Sequence, residues 1–214
     1  DSILSSNNNG ANSADALGWL FKRIEDYTRL SRRNIKLSTT KLKNIVDPLV
    51  TRRTLNNFAI NSANETWMDS EERSGIRIEI QTLRLLIYKL TYRLTKQKIY
   101  RYLEEKLKKS LKEKLWNKEY LYDGLNDKTI RPNVFLAYYI YPNLLTKKQW
   151  SKCFEIVIKS LWLDWDGIAT IDKNSSLFHK EHTGEDNSSY HKGDSWFWIN
   201  NLTALVLYKL DKNK

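Results

Sequence analysis

The sequence is poor in the residues that organise small stapled or metal-built folds. A single cysteine, Cys153, excludes an intrachain disulfide framework, and with only 3 His it leaves little material for a structural zinc site. Seven Gly and 3 Pro in 214 residues are too few for a turn-rich all-β design. The hydrophobic share of 41% is too high for intrinsic disorder. No stretch approaches the roughly 18 uninterrupted apolar residues of a membrane span, and Asp1 to Gly10 is polar, without a signal-peptide core. These absences lead to the expectation of a helical, soluble, cytoplasmic protein that uses no metal or other cofactor and no membrane.

Charge of one sign is the first positive feature. Lys and Arg number 36 against 25 Asp and Glu, a formal net charge of +11, which by itself raises a polyanionic partner. Lys106, Lys108, Lys109, Lys112 and Lys114, however, fall on a plain helix surface. No basic run is interleaved with the aromatics a single-strand platform needs. The charge therefore reads as solvated surface, and no nucleic-acid partner is expected.

Apolar residues recur at helical spacing in segment after segment. Leu17, Leu20, Ile24 and Tyr27 mark a first helix. Leu42, Ile45 and Leu49 mark a second, with Leu55 as a further candidate and Pro48 as a site for a kink. Ile80, Leu83, Ile87, Leu90 and Leu94 make a third. Ile99, Leu103, Leu107, Leu111 and Leu115 step by four along a helix otherwise crowded with Lys, Glu and Arg, which belongs on the outside. Pro132 to Tyr141 is apolar on all sides and should be buried. Thr146 to Leu163 opens on a Thr cap and carries Trp150, Phe154, Val157, Ile158 and Leu161 on one face. Ser195 to Leu210 is the last. Alternation of one-sided with all-round apolar helices is the pattern of inner helices wrapped by outer ones.

Between the helices lie polar, aromatic-rich loops: Asn7 to Asp15, Asn61 to Arg77, Asp123 to Arg131, and the long Asp164 to Asp194. Trp67, Trp165, Trp196 and Trp198 fall in or beside them, whereas Trp150 and Trp162 sit at helical spacing and read as core. Indoles beside carboxylates suit a sugar, whose C–H faces stack on rings while its hydroxyls bond Asp, Asn, Arg and His. Glu65-Thr66-Trp67-Met68-Asp69 and the stretch from Thr183-Gly184-Glu185-Asp186 to Tyr190-His191-Lys192-Gly193-Asp194-Ser195-Trp196 carry such pairs. An apolar neighbour raises a carboxyl pKa and makes it a proton donor. Asp186 and Glu72 read instead as capping or ion-pairing acids.

These segments bring the chain to a resemblance. Asn12-Ser13-Ala14-Asp15-Ala16-Leu17-Gly18-Trp19, Glu65 to Asp69, Arg77-Ile78-Glu79-Ile80-Gln81, Ile130-Arg131-Pro132-Asn133 and Thr183 to Trp198 resemble, in order, the motif series of the glycogen-debranching glucosidase family. The archaeal and bacterial members are the most similar. The match spans nearly the whole chain; it departs at Ser74-Gly75-Ile76, where the family commonly carries Thr-Pro-Arg.

The resemblance implies an all-α fold, the C-terminal portion of an (α/α)6 barrel with about seven of its helices, as one domain over 1–214. It implies hydrolysis of α-1,6-linked glucose on a branched α-glucan by paired carboxylates, with inversion. In an inverting enzyme such carboxyls stand roughly 6.5–9.5 Å apart. Asp69 matches the family's general acid. Glu185 is the candidate general base and Asp194 its alternative. Asp15, Trp67, Glu79, Arg131, Asn133, Tyr190, His191 and Trp196 match substrate contacts, although His191 equally fits a satisfied structural histidine.

About twelve helices need well over roughly 300 residues at ordinary lengths. Together with a start at Asp1 rather than Met, this leads to the expectation of a second chain, or a missing N-terminal segment, completing the barrel. Two other readings stay open: a catalytically silent glucan-binding or regulatory subunit, and a glucoamylase- or trehalase-like glucosidase.

Overall fold

The structure, a computed structural model, describes residues 13–211 apart from Asn34 and Lys36. The polar N-terminus and the part of the first loop before Ser13 lie outside the described residues. Those described form an all-α chain: α1 (Ala16–Ser31), α2 (Thr39–Arg52), α3 (Ile78–Thr95), α4 (Lys98–Lys114), α5 (Asn133–Ile140), α6 (Lys147–Leu161) and α7 (Phe197–Asp211). The sheet content is one antiparallel ribbon, β1 (Thr54–Leu55) with β2 (Phe58–Ala59). The chain divides into two compact units, Asp1–Leu111 and Lys112–Lys214.

In the first unit α1, α2 and the ribbon all pack on α3. Close approach of α1 depends on Gly18, where an added Cβ would stand 2.5 Å from Leu83 Cβ. The buried stripe of α1 is Leu17, Gly18, Phe21, Lys22 and Asp26. The expected apolar face is corrected here, because Leu20 and Tyr27 are each 49% exposed. Two charged residues take the inner positions instead, made tolerable by pairing. Lys22 Nζ lies 2.8 Å from Asp26 and 3.4 Å from Glu25, and Lys89 of α3 lies 3.0 Å from Glu25. Burial alone would raise the Asp26 carboxyl; the Lys22 bond and charge, with Arg23 and Arg29, outweigh it and hold the group below the usual carboxylate range.

Ser38 caps α2 by accepting from the Lys41 amide, and Leu42 and Val46 face inward. Leu55 is not part of this helix: it sits exposed in β1. Helix α3 is buried nearly all round rather than along one stripe, and its buried polar positions are Glu79, Gln81, Thr82, Arg84 and Thr91. Each has an internal task. Gln81 accepts from the Ala59 amide (2.9 Å) and donates to the Ala59 carbonyl (2.8 Å). Arg84 donates to the Leu49 carbonyl (3.1 Å), which also accepts from the Arg53 amide, and to Thr54 Oγ1 (3.0 Å), tying the end of α2 to α3. Helix α4 is one-sided, with Leu107 and Leu111 buried and most of its lysines in solvent, but Ile99 at the head of the expected stripe is 52% exposed.

In the second unit α5 packs on α6 and α7. Every residue of α5 is buried except Tyr139, which is half-buried. Phe135 meets Phe154 at 5.0 Å and Tyr138 meets Trp150 edge-on at 5.3 Å between ring centres. Thr146 opens α6 with a reciprocal capping box, Gln149 returning the bond. Trp150 is core, but Trp162 is 41% exposed and ends α6 rather than lining it. Helix α7 buries Ile199, Thr203, Val206 and Leu210, while Phe197, Leu205 and Tyr208 remain exposed.

Candidate functional site

The loop between β2 and α3 is closed at its base by an antiparallel bridge between Asn61 and Gly75, with N···O distances of 3.0 and 2.8 Å. Gly75 has φ +92°, a left-handed conformation that costs glycine nothing. Glu65 is buried and accepts from the Ser62 amide (2.7 Å) and from both guanidinium branches of Arg53 (3.2 and 3.4 Å). The Ala14 amide donates to the Glu65 carbonyl at 2.8 Å, which brings Asp15 and the start of α1 to this loop. Asp15 accepts from Ser13 Oγ (2.5 Å) and Trp19 Nε1 (3.3 Å).

Within the loop Met68 is fully buried, Trp67 half-buried and Asp69 exposed. The Asp69 carbonyl accepts from Asn64 Nδ2 at 2.5 Å. Its carboxylate has no hydrogen-bond or ion-pair partner among the described residues. Glu79 is 1% exposed, with its two oxygens 2.7 and 3.1 Å from the guanidinium of Arg73. The carboxylate matched to a substrate contact is thus turned onto the protein.

The second unit gathers the other named residues around the long loop before α7. Arg131 Nη1 donates to the carbonyls of His191 (2.7 Å) and Thr170 (3.1 Å), tying two passes of chain together. Two residues on, Asn133 Nδ2 donates to Asp123 at 2.6 Å. Gly193 admits a close backbone approach: a Cβ there would stand 2.0 Å from the His179 carbonyl oxygen. The same pass is held by the His179 amide on the Lys192 carbonyl at 2.7 Å.

His191 is 1% exposed and stacks on Trp196 at 5.6 Å, while Tyr190 stands edge-on to both, at 4.7 Å from His191 and 4.4 Å from Trp196. Trp196 Nε1 donates to the Tyr190 carbonyl at 2.9 Å, which locks the indole. Asp194 faces His182, with Oδ2 3.0 Å from Nδ1. Thr183 and Ser189 bond each other reciprocally, each amide to the other's hydroxyl at 3.0 Å. That clasp presents Gly184 (φ +64°) and the exposed Glu185, whose carboxylate has no partner among the described residues.

Two chemical groups stand out among the candidate residues. Glu79, Arg131, Asn133 and His191 are buried and bonded to protein; Asp69 and Glu185 stand open on loops that rigid helices anchor. An open carboxylate can take up or give a proton to a bound molecule, whereas one sealed in an ion pair cannot reach it. Sequence reasoning missed Arg73, Asp123, Thr170, Gln81 and Arg84 as framework. The signal for the last two was a polar side chain inside an otherwise apolar helical run, which must find a partner.

Comparison with curated proteins gives no match. Among solved structures a chain named "Sialidase" is similar, with a TM-score of 0.61 and 16% identity over 82% of this chain and 18% of that one. At that identity the likeness shows the fold alone, and this chain spans less than a fifth of that chain's length. The sequence model of the family described as Amylo-alpha-1,6-glucosidase matches residues 3–212. The chain belongs to that family.

Proposed function

We propose that the chain is part of a glycoside hydrolase that releases α-1,6-linked glucose from branched α-glucan by acid–base carboxylate catalysis with inversion. The observation that carries the reading is that, within the matched segment, Asp69 and Glu185 keep their carboxylates open whereas Glu65 and Glu79, on either side of Asp69, are sealed in ion pairs with Arg53 and Arg73. Asp69 donates a proton to the departing glycosidic oxygen as the C1–O6 bond breaks. Glu185 takes a proton from the water whose oxygen bonds to C1, giving β-glucose. Asp194, held by His182, is the alternative base. Trp67, Tyr190 and Trp196 supply rings for sugar faces, and Asp15, Glu79, Arg131, Asn133 and His191 line or brace the subsites.

The helix content is consistent with a fragment of (α/α)-barrel type. We propose that a partner chain or a preceding segment completes the barrel. Each unit leaves large apolar side chains in solvent that such a partner would cover: Tyr27 and Leu30 (74% exposed) on α1 in the first, and Phe197 (81% exposed), Leu205 and Tyr208 on α7 in the second. No described helix is long and apolar enough to cross a membrane, and an intracellular glucan store would place the enzyme in the cytoplasm.

The test is glucose release from a limit dextrin by Asp69→Asn, Glu185→Gln and Asp194→Asn. Loss of the acid or the base should lower the rate by about 10²–10⁴-fold. Between Glu185 and Asp194, the base is the one whose amide variant fails. Undiminished release by both Asp69→Asn and Glu185→Gln would refute the assignment.

A further inference from the structure

The loop bearing Asp69 reaches helix α3 through Arg73 and Thr66, side chains that the proposed reaction does not use. Arg73 is buried beside Glu79, with side-chain exposures of 5% and 2%. One guanidinium branch, Nη1, serves two acceptors, Glu79 Oε1 at 2.7 Å and Thr66 Oγ1 at 3.1 Å. The Thr66 hydroxyl also accepts from the Met68 amide at 3.3 Å. Met68 is fully buried, so the residue immediately before Asp69 has little freedom of its own. The Asn61 side chain fastens the far end by donating to the Arg73 carbonyl at 2.7 Å.

We infer that Arg73 is a positioning residue that sets the proton-donating carboxyl of Asp69 through Thr66 and the Met68 backbone, with Glu79 fixing Arg73 on the first turn of α3. The inference rests on the reading of Asp69 as general acid. The chemistry favours arginine. A planar guanidinium can meet both carboxylate oxygens and still turn an N–H to a hydroxyl, whereas an ammonium offers a point charge without that fork. Asp69 must be open to reach a glucan, so it cannot be held by its own carboxylate; its neighbours have to do the holding. A misplacement of about 1 Å in such a group costs on the order of 10²-fold in rate.

The experiment compares Arg73→Lys, Thr66→Val and Asp69→Asn in the active assembly on two substrates, an α-1,6-glucoside and α-glucosyl fluoride. Fluoride leaves without protonation, so the second substrate does not need the acid. Arg73→Lys and Thr66→Val should each lower kcat on the α-1,6-glucoside by about 10–100-fold with KM little changed, and leave fluoride hydrolysis intact. Thr66→Val spares the buried ion pair, so it reports on the relay even where Arg73→Lys is poorly folded. Equal losses on both substrates in both variants, or no loss on either, would overturn the relay while leaving Asp69 as the acid. Collapse of fluoride hydrolysis in Asp69→Asn would instead overturn the acid assignment itself.

Discussion

Glu79 and Arg73 form a two-pronged ion pair inside the protein, with oxygen to nitrogen distances of 2.7 and 3.1 Å. Six residues apart, they join the end of a polar loop to the first turn of a helix buried on nearly every side. Removing one partner strands a charge in a region water cannot reach. Glu79→Met and Arg73→Met should each cost about 3–5 kcal/mol in urea unfolding. The double variant should cost less than either single one, because the two opposite charges then leave the interior together. A double variant that is no milder than the worse single one would refute this account.

Gly18 faces Leu83 across the α1–α3 contact. Alanine in a helix interior ordinarily gains about 1 kcal/mol over glycine. Here a Cβ would stand 2.5 Å from Leu83 Cβ, an atom fixed to the α3 backbone that cannot swing aside. Overpacking of this kind costs about 1–3 kcal/mol, so Gly18→Ala should lower the melting temperature. A rise would mean that the helices are not in close contact at this point.

Asp26 ties stability to acid. Burial would raise its folded-state carboxyl, but the bonds and charges of Lys22 and its neighbours outweigh that and hold it below the ordinary value of 3.8. A depressed carboxylate contributes stability that is present above the unfolded pKa and lost as pH falls through the folded one. The stability gap between the native protein and Asp26→Asn should therefore be constant near neutral pH and close below about pH 4. Unfolding titrations at stepped pH would show it; a gap that persists at pH 2 would count against the pairing.

Cys153 is buried in α6, and burial pushes its thiol up to about 12. The reactive thiolate is thus scarce at ordinary pH and shielded as well. Labelling by a soluble disulfide reagent at pH 8 should be slow in the native protein and immediate in denaturant. Fast native labelling would mean that α6 opens readily.

Gly193 connects fold to function. Alanine there would place a Cβ 2.0 Å from the His179 carbonyl, a backbone atom. The loop carrying His191 and Asp194 must then shift. Gly193→Ala should raise KM for a branched glucan and speed proteolysis within residues 164–194; wild-type values for both would place the close approach elsewhere.

Much of this was legible along the chain. Helices α5 and α6 follow from an apolar run and a Thr cap, since burial and capping are local in cause. The loops carrying Asp69 and Glu185 were visible as stretches without helical period and rich in Trp and carboxylate. The inward face of α1 was not legible, because it depends on Lys22 and Asp26 finding each other and on Lys89 of another helix meeting Glu25. Nor could Trp162 be told from Trp150, which differ only in what packs around them.

The all-α class, the helix succession and the short set of residues with chemistry to offer can all be read along the chain. Those depend on periodicity, on caps and on side-chain type, which neighbouring residues decide between them. Which carboxylates are sealed and which stay open was decided only by the tertiary structure. Glu65 and Glu79 lie within reach of Arg53 and Arg73 once the chain folds back, and pairing makes their burial tolerable; Asp69 and Glu185 meet no such cation and remain in solvent.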